Sequence, residues 1–323
     1  MFLAAIAPTA ACGLHQDNPA EDDSRLRHKQ AFAEPPSDKT HAPDPQSQAR
    51  IVLLGTGTPT PDPFRSGPAT AVIAGGRAYL VDCGPGVVRR ASEAFLKGIT
   101  ELDVRQLTLV FVTHLHSDHT AGYPDLILTP AAAGRSRPLK IYGPPGIKAM
   151  TEKILAAYKE DLAVRAKGRS PSQMRGYRVE AHEVVPGVVY KDENIKVTAF
   201  AVRHGVWKNA YGYRFDTPQR SIVISGDTGP TEATIEACRG CDVLVHEVYC
   251  KSGFDQGPWS WQQYHATHHT SSQELARLAV KARPKLLVLY HQLFFECSEE
   301  QLLDEIRSLY KGRVVSGNDL DVY

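Results

Sequence analysis

What the 323-residue sequence most plainly lacks is a charge bias: 37 Lys and Arg stand against 36 Asp and Glu, a formal net charge of +1 with His neutral. Proteins whose main work is gripping a phosphate backbone carry a clear basic excess, so this balance argues against that class. Nor does any stretch reach the roughly 18 to 20 uninterrupted apolar residues of a membrane-spanning helix. Cysteine is sparse: six residues, Cys12, Cys83, Cys238, Cys241, Cys250 and Cys297, without the regular spacing of a disulfide-stapled framework. Cys238 and Cys241 have CxxC spacing, but no second CxxC completes a zinc site and an apolar strand follows, so they read as buried small hydrophobes. Gly55 and Gly57 lack the third glycine of a dinucleotide-binding loop. What is abundant is histidine, 13 in all, on a chain whose 42% hydrophobic residues suffice for a sizeable core.

The chain divides into three segments. Residues 1–12, MFLAAIAPTAAC, are a short apolar run ending in Thr9-Ala10-Ala11-Cys12, which resembles a bacterial lipoprotein cleavage box, although no positively charged region precedes it. The expectation is a truncated signal with a lipid anchor at Cys12 as the only membrane attachment, and a periplasmic or exported location, with a cytoplasmic one as the alternative. Residues 13–49 are rich in Pro, Asp, Gln, Ala and Ser with Phe32 as the only aromatic, so burial cannot offset their ordering entropy, and they are expected to form a disordered tether.

From residue 50 to 323 the pattern changes to short apolar runs separated by Gly and Pro. Strands are expected at Ile51–Leu54, Thr70–Ala74, Ala78–Val81, Leu107–Thr113, Val179–Val184, Ile195–Val202, Ser221–Ser225, Asp242–His246 and Leu286–Tyr290. Apolar residues three and four apart predict helices at Gly86–Leu96, Gly146–Tyr158, Thr231–Ala237, Ser271–Ala282 and Glu299–Tyr310. This alternation predicts the α/β class and an αββα sandwich, two mixed sheets flanked by helices.

The chemistry sits where strands end. His114-Leu115-His116-Ser117-Asp118-His119 directly follows an apolar strand, so three imidazoles and a carboxylate can converge on a small volume. Imidazole nitrogen and carboxylate oxygen suit zinc, iron and manganese. One such cluster cannot close two metal shells. His204 before Gly205, Asp227 in Ser-Gly-Asp-Thr-Gly and His291 after its strand are further candidates, bringing the ligands to seven.

This spacing, with Gly212-Tyr213-Arg214 between His204 and Asp227, resembles the metallo-β-lactamase superfamily over about residues 50–323. The resemblance implies two zinc ions, with manganese or iron as alternatives. His114, His116 and His204 would hold one, Asp118, His119 and His291 the other, and Asp227 would bridge them. Asp rather than Cys at the bridge favours esters over lactams. Leu54-Gly55-Thr56-Gly57, Val81-Asp82-Cys83-Gly84, Tyr142-Gly143-Pro144-Pro145-Gly146, His246-Glu247 and His269-Thr270-Ser271 look like the branch of ribonuclease Z and the zinc-dependent arylsulfatases. There Glu247 and His269 would serve the leaving group. Asp118 or Asp227 is expected to orient a hydroxide nucleophile held by the metals and to accept its proton.

Bacterial ribonuclease Z inserts a basic arm between the GYR strand and GDT. Here Phe215 to Arg220 lead directly into the next strand, Ser221–Ser225, leaving no room for one. All three tryptophans, Trp207, Trp259 and Trp261, fall beside ligand motifs, the last two in residues 250–268, which read as a loop over the site. The basic stretch Lys159 to Arg178 reads as a solvated loop. The expectation is therefore a hydrolase of sulfate or phosphate mono- or diesters, acting on a small aromatic ester rather than nucleic acid, with homo-oligomerisation left open. The alternatives are a ribonuclease Z-type tRNA 3′-processing endonuclease, a lactonase or β-lactamase-like hydrolase, and a non-catalytic metal-binding lipoprotein.

Overall fold

The computed structural model describes residues 49–323. The expected signal, the anchor at Cys12 and residues 13–48 of the tether lie outside the described residues, while Ala49 is already buried in the core. The first sheet runs in the order β1 (Arg50–Gly55), β2 (Ala69–Ala74), β3 (Arg77–Val81), β4 (Leu109–Phe111), β5 (Leu139–Gly143) and β6 (Val179–Glu183). Its first three strands are antiparallel and its last four parallel. The second sheet holds β7 (Gly187–Lys191), β8 (Lys196–Ala201), β9 (Tyr211–Asp216), β10 (Ser221–Ile224), β11 (Val243–Tyr249), β12 (Leu286–Leu293) and β13 (Val314–Ser316), in reverse spatial order. Here β7 to β10 are antiparallel and β10 to β13 parallel.

The helices are α1 (Val87–Leu96), α2 (Ser117–Thr120), α3 (Tyr123–Ala132), α4 (Ile147–Ala157), α5 (Lys159–Ala166), α6 (Glu232–Cys238), α7 (Lys251–Phe254), α8 (Trp259–His268), α9 (Ser272–Ala282) and α10 (Glu299–Leu309). The two-residue period of the strands sorts side chains into layers. On β4, Leu109 and Phe111 face the second sheet, packing with Tyr213, Phe215 and Ile224, whereas Val110 faces α1 and α3. On the far side, α6, α9 and α10 cover the outer face of the second sheet. The result is the expected αββα sandwich.

Several features differ from expectation, among them the unexpected strands β5, β7 and β13. The strand expected over Leu107–Thr113 is confined to Leu109–Phe111. Helix α3, not expected, carries Pro124 in its first turn and Pro130 inside. Pro130 has no N–H for the Leu126 carbonyl; the buried Arg135 guanidinium donates to that oxygen at 2.9 Å and to the carbonyls of Ile127, Leu107 and Gly176. Residues 250–268 form α7 and α8, and α5 occupies part of the basic stretch. Finally, Cys238 pairs with Cys241 and Cys250 with Cys297 in disulfides, leaving Cys83 free and buried.

Candidate metal centre

Parallel strands deliver side chains to one end of each sheet. After β4 the chain turns at Thr113, and the four-residue α2 brings Asp118 and His119 beneath His114. From the second sheet, His204 follows β8 at a turn through Gly205, whose φ is +53°. A Cβ there would lie 1.8 Å from the His268 ring. Asp227 follows β10 through Gly226 at φ +63°, where a Cβ would meet the Tyr211 carbonyl at 2.8 Å. His291 is the extra residue in β12 where pairing jumps from Glu247–Tyr290 to Val248–Gln292. Such a bulge re-aims a side chain, and His291 accepts a left-handed φ of 46° to do so.

All seven expected residues come together. His116 Nδ1 lies 3.0 Å from both His114 Nε2 and His204 Nε2, so three basic nitrogens face one point, with Asp227 Oδ2 3.9 Å from His114. His119 Nε2 stands 3.4 Å from Asp118 Oδ2 and 3.3 Å from Asp227 Oδ1. His291 Nε2 stands 3.2 Å from Asp118 Oδ2 and 3.3 Å from Asp227 Oδ2. The atoms fall into two sets, His114, His116, His204, Asp227 and Asp118, His119, Asp227, His291, each within 4.8 Å and sharing Asp227. His119 Nε2 and Asp227 Oδ1 are buried with no hydrogen-bond partner among the described residues. Buried polar atoms aimed at one another without partners call for an ion, and this donor set fits two divalent cations.

Electrostatics prepare the ligands. Burial and the neighbouring His119 hold His114 well below the usual histidine range, and burial takes His204 to about 3, so both rings are neutral and free to coordinate. Burial would pull His119 down, yet Asp227, Asp118 and Asp82 outweigh it and raise it. Burial would lift Asp227, but His291 and His119 hold it ionised.

Around this core sit supporting residues, of which Asp82 and His268 were given no role from the sequence, whereas Glu247 and His269 were. Asp82, at the end of β3, accepts from the Thr113 N–H at 2.8 Å and stands 2.8 Å from His119 Nδ1, fixing which nitrogen of that ring faces the cluster. His204 Nδ1 is held 2.8 Å from the His268 carbonyl. Glu247, on β11, takes the Thr270 N–H at 2.8 Å through Oε1 and stands 3.3 Å from His269 Nδ1 through Oε2. Burial and Asp227 lift the Glu247 carboxyl well above its usual range, and burial lowers His269 to about 4, which favours the neutral form of each. The His269 and His291 rings stack at 5.7 Å. Of the tryptophans, Trp207 donates to His116 Nε2 at 2.6 Å, whereas Trp259 is 70% exposed and Trp261 is one ring removed, behind His265.

Comparison with known proteins agrees with this geometry. The β-lactamase superfamily domain matches residues 77–292. A ribonuclease Z of Mycobacterium bovis is 34% identical over 275 residues, covering 84% of this chain and 96% of the relative. Among solved structures, the short form of human tRNase Z has a TM-score of 0.62 at 24% identity over 85% of this chain and 98% of that one. The metallo-β-lactamase fold protein YhfI of Bacillus subtilis has a TM-score of 0.63 at 20% identity, over 85% of this chain and 98% of that one. These relatives overturn one expectation. Net charge and the missing arm pointed to a small aromatic ester and away from nucleic acid, but a relative spanning most of the chain is a ribonuclease. Overall charge balance is a poor guide here because it averages out a basic stretch such as Lys159 to Arg178. The chain belongs to the metallo-β-lactamase superfamily and is a metal-dependent hydrolase of ester bonds, with ribonuclease Z among its relatives.

Proposed function

We propose that the chain is an RNA phosphodiesterase of the ribonuclease Z type, cutting precursor tRNA on the 3′ side. The observation that carries this reading is the Glu247–His269 pair standing beside His291, an acid placed at the leaving-group side that lactam or lactone opening does not require. The named relatives support the choice of substrate. The tight β9–β10 hairpin leaves no arm at that position, yet the alignment covers 96% of the ribonuclease relative, so little of that relative lies outside the segments the two share.

His114, His116 and His204 would hold one cation, Asp118, His119 and His291 the second, and Asp227 both. When bound there, the cations supply Lewis acidity and bring the pKa of water toward neutrality. Asp118, kept ionised by His119 and His291 against the effect of burial, orients the attacking water and accepts its proton. His269 turns Nδ1 to Glu247, leaving Nε2 to protonate the departing oxygen, while the Glu247 proton crosses to Nδ1.

Incubation of the zinc-loaded protein with precursor tRNA should release the 3′ trailer, chelation should abolish the cut and zinc should restore it. Turnover that survives complete demetallation, or hydrolysis of generic phosphodiesters with intact precursor tRNA, removes this reading. An exported location is a rival proposal, since it would part the enzyme from precursor tRNA in the cytoplasm; it is supported by the two disulfides, which persist in oxidising compartments. Thiol alkylation of fractionated cells tests it: blocked Cys250 and Cys297 in the exported fraction are expected, and reactive thiols in the cytoplasm would remove it.

A further inference from the structure

We propose that the cavity between α7, α8 and the chain following β12 is a nucleobase subsite, holding the nucleotide that bears the departing oxygen. This rests on the ribonuclease reading above. The cavity has a volume of about 700 Å³, within the range of small-molecule sites, and its lining includes Gln256, Gly257, Trp261, Phe295, Glu296 and Gln301.

Three observations carry the assignment. First, the cavity lies one ring away from the leaving-group side of the site. Trp261 and Phe295, which line it, both contact the His265 ring at 4.5 and 5.0 Å, and His265 stands 5.5 Å from His269. Second, its walls are built at a cost. Phe295 and Glu296 both sit in the left-handed region, at φ of 51° and 70°, a conformation that side chains disfavour. At Gly257 a Cβ would come within 2.5 Å of the Trp261 ring, so only glycine lets the indole lie there. The Cys250–Cys297 disulfide ties the two walls together.

Third, the lining chemistry selects the guest. It offers the aromatic surfaces of Trp261 and Phe295 for stacking, with the amides of Gln256 and Gln301 and the Ser252 hydroxyl at the rim. The lining contains no Lys or Arg, and Glu296 repels anions, so a phosphate is excluded and a flat ring with a hydrogen-bonding edge is favoured.

The test is a fluorescence titration of the zinc-loaded protein with 2-aminopurine ribonucleoside, whose emission is quenched by stacking, paired with hydrolysis of dinucleoside monophosphates and of bis(p-nitrophenyl) phosphate. Saturable quenching is expected, weakened at least tenfold in Trp261→Ala and severalfold in Gln256→Ala, a second variant at an exposed position. In both variants kcat/KM for the dinucleotides should fall further than for the nitrophenyl ester, by tenfold or more in Trp261→Ala. Absence of saturable quenching, or equal losses on both substrates in both variants, overturns the subsite. The titration needs no cleavage. Quenching in a protein that cuts no RNA upholds the subsite and removes the ribonuclease reading; RNA cleavage without quenching does the reverse.

Discussion

Asp82 belongs to neither set of candidate ligands, yet its carboxylate fixes the His119 ring from behind. Outer partners of this kind are worth 10- to 100-fold in metal affinity. Asp82→Asn should therefore weaken zinc binding by about that factor in competition with a chromophoric chelator while leaving the circular dichroism unchanged; unaltered affinity would demote Asp82 to a turn residue. His246 makes a different prediction. Its Nδ1 lies 2.6 Å from the Glu247 carbonyl, its Nε2 is buried without a partner among the described residues, and burial lowers it to about 4. Because the unfolded chain holds this proton more tightly, stability is complete above about pH 6.5 and declines as pH falls toward 4, by roughly 3 kcal/mol. In urea titrations His246→Gln should flatten that acid limb; an unchanged slope would assign the loss elsewhere. The seven candidate ligands were legible because each follows an apolar strand, most beside a Gly or Ser that permits a sharp turn. Asp82 carries the same signal but went unread because seven ligands already filled two shells, and His246 has no signal at all, since its partner is backbone.

At the level of elements, β1, β2, β4 and β11 were readable as short apolar runs because they are buried on both faces, and α1, α9 and α10 by their three- or four-residue spacing because one face of each is buried. Helix α3 was hidden by its prolines, and its formation depends on Arg135, which stands beyond it and supplies the donor that Pro130 lacks. The segment containing α7 and α8 gave no periodic signal because its aromatic residues pack on one another and on Phe295 rather than on a sheet. The pairing of Cys250 with Cys297 was equally silent, because proximity at a separation of 47 residues is a property of the fold. Closing a loop of that length constrains the unfolded chain by about 4 kcal/mol. Cys250→Ser with Cys297→Ser should lower unfolding free energy by up to that amount in urea. No loss of stability would show that the packing of Tyr249, Phe254 and Phe295 alone secures this corner.

Across the whole molecule, a net charge near zero conceals strong segregation. Between Lys148 and Arg178 eight Lys or Arg accompany only three Asp or Glu, and Arg169 and Arg175 are exposed. If this face takes over the grip of the absent arm, Arg169→Glu with Arg175→Glu should raise KM for precursor tRNA and flatten its log–log salt dependence by about 0.7 to 0.9 per lost phosphate contact. Turnover of bis(p-nitrophenyl) phosphate should be unaffected, and an unmoved RNA KM would mark the face as mere solvation. The arrangement of the cluster has a consequence of its own. His114, His116, Asp118 and His119 hang from one sheet, while His204, Asp227 and His291 hang from the other. Neither half possesses a complete set, so reactivity arises only once the two have docked. A nascent or partly opened chain therefore lacks the full donor set, and cations held by residues of both sheets would act as a latch that reports successful assembly.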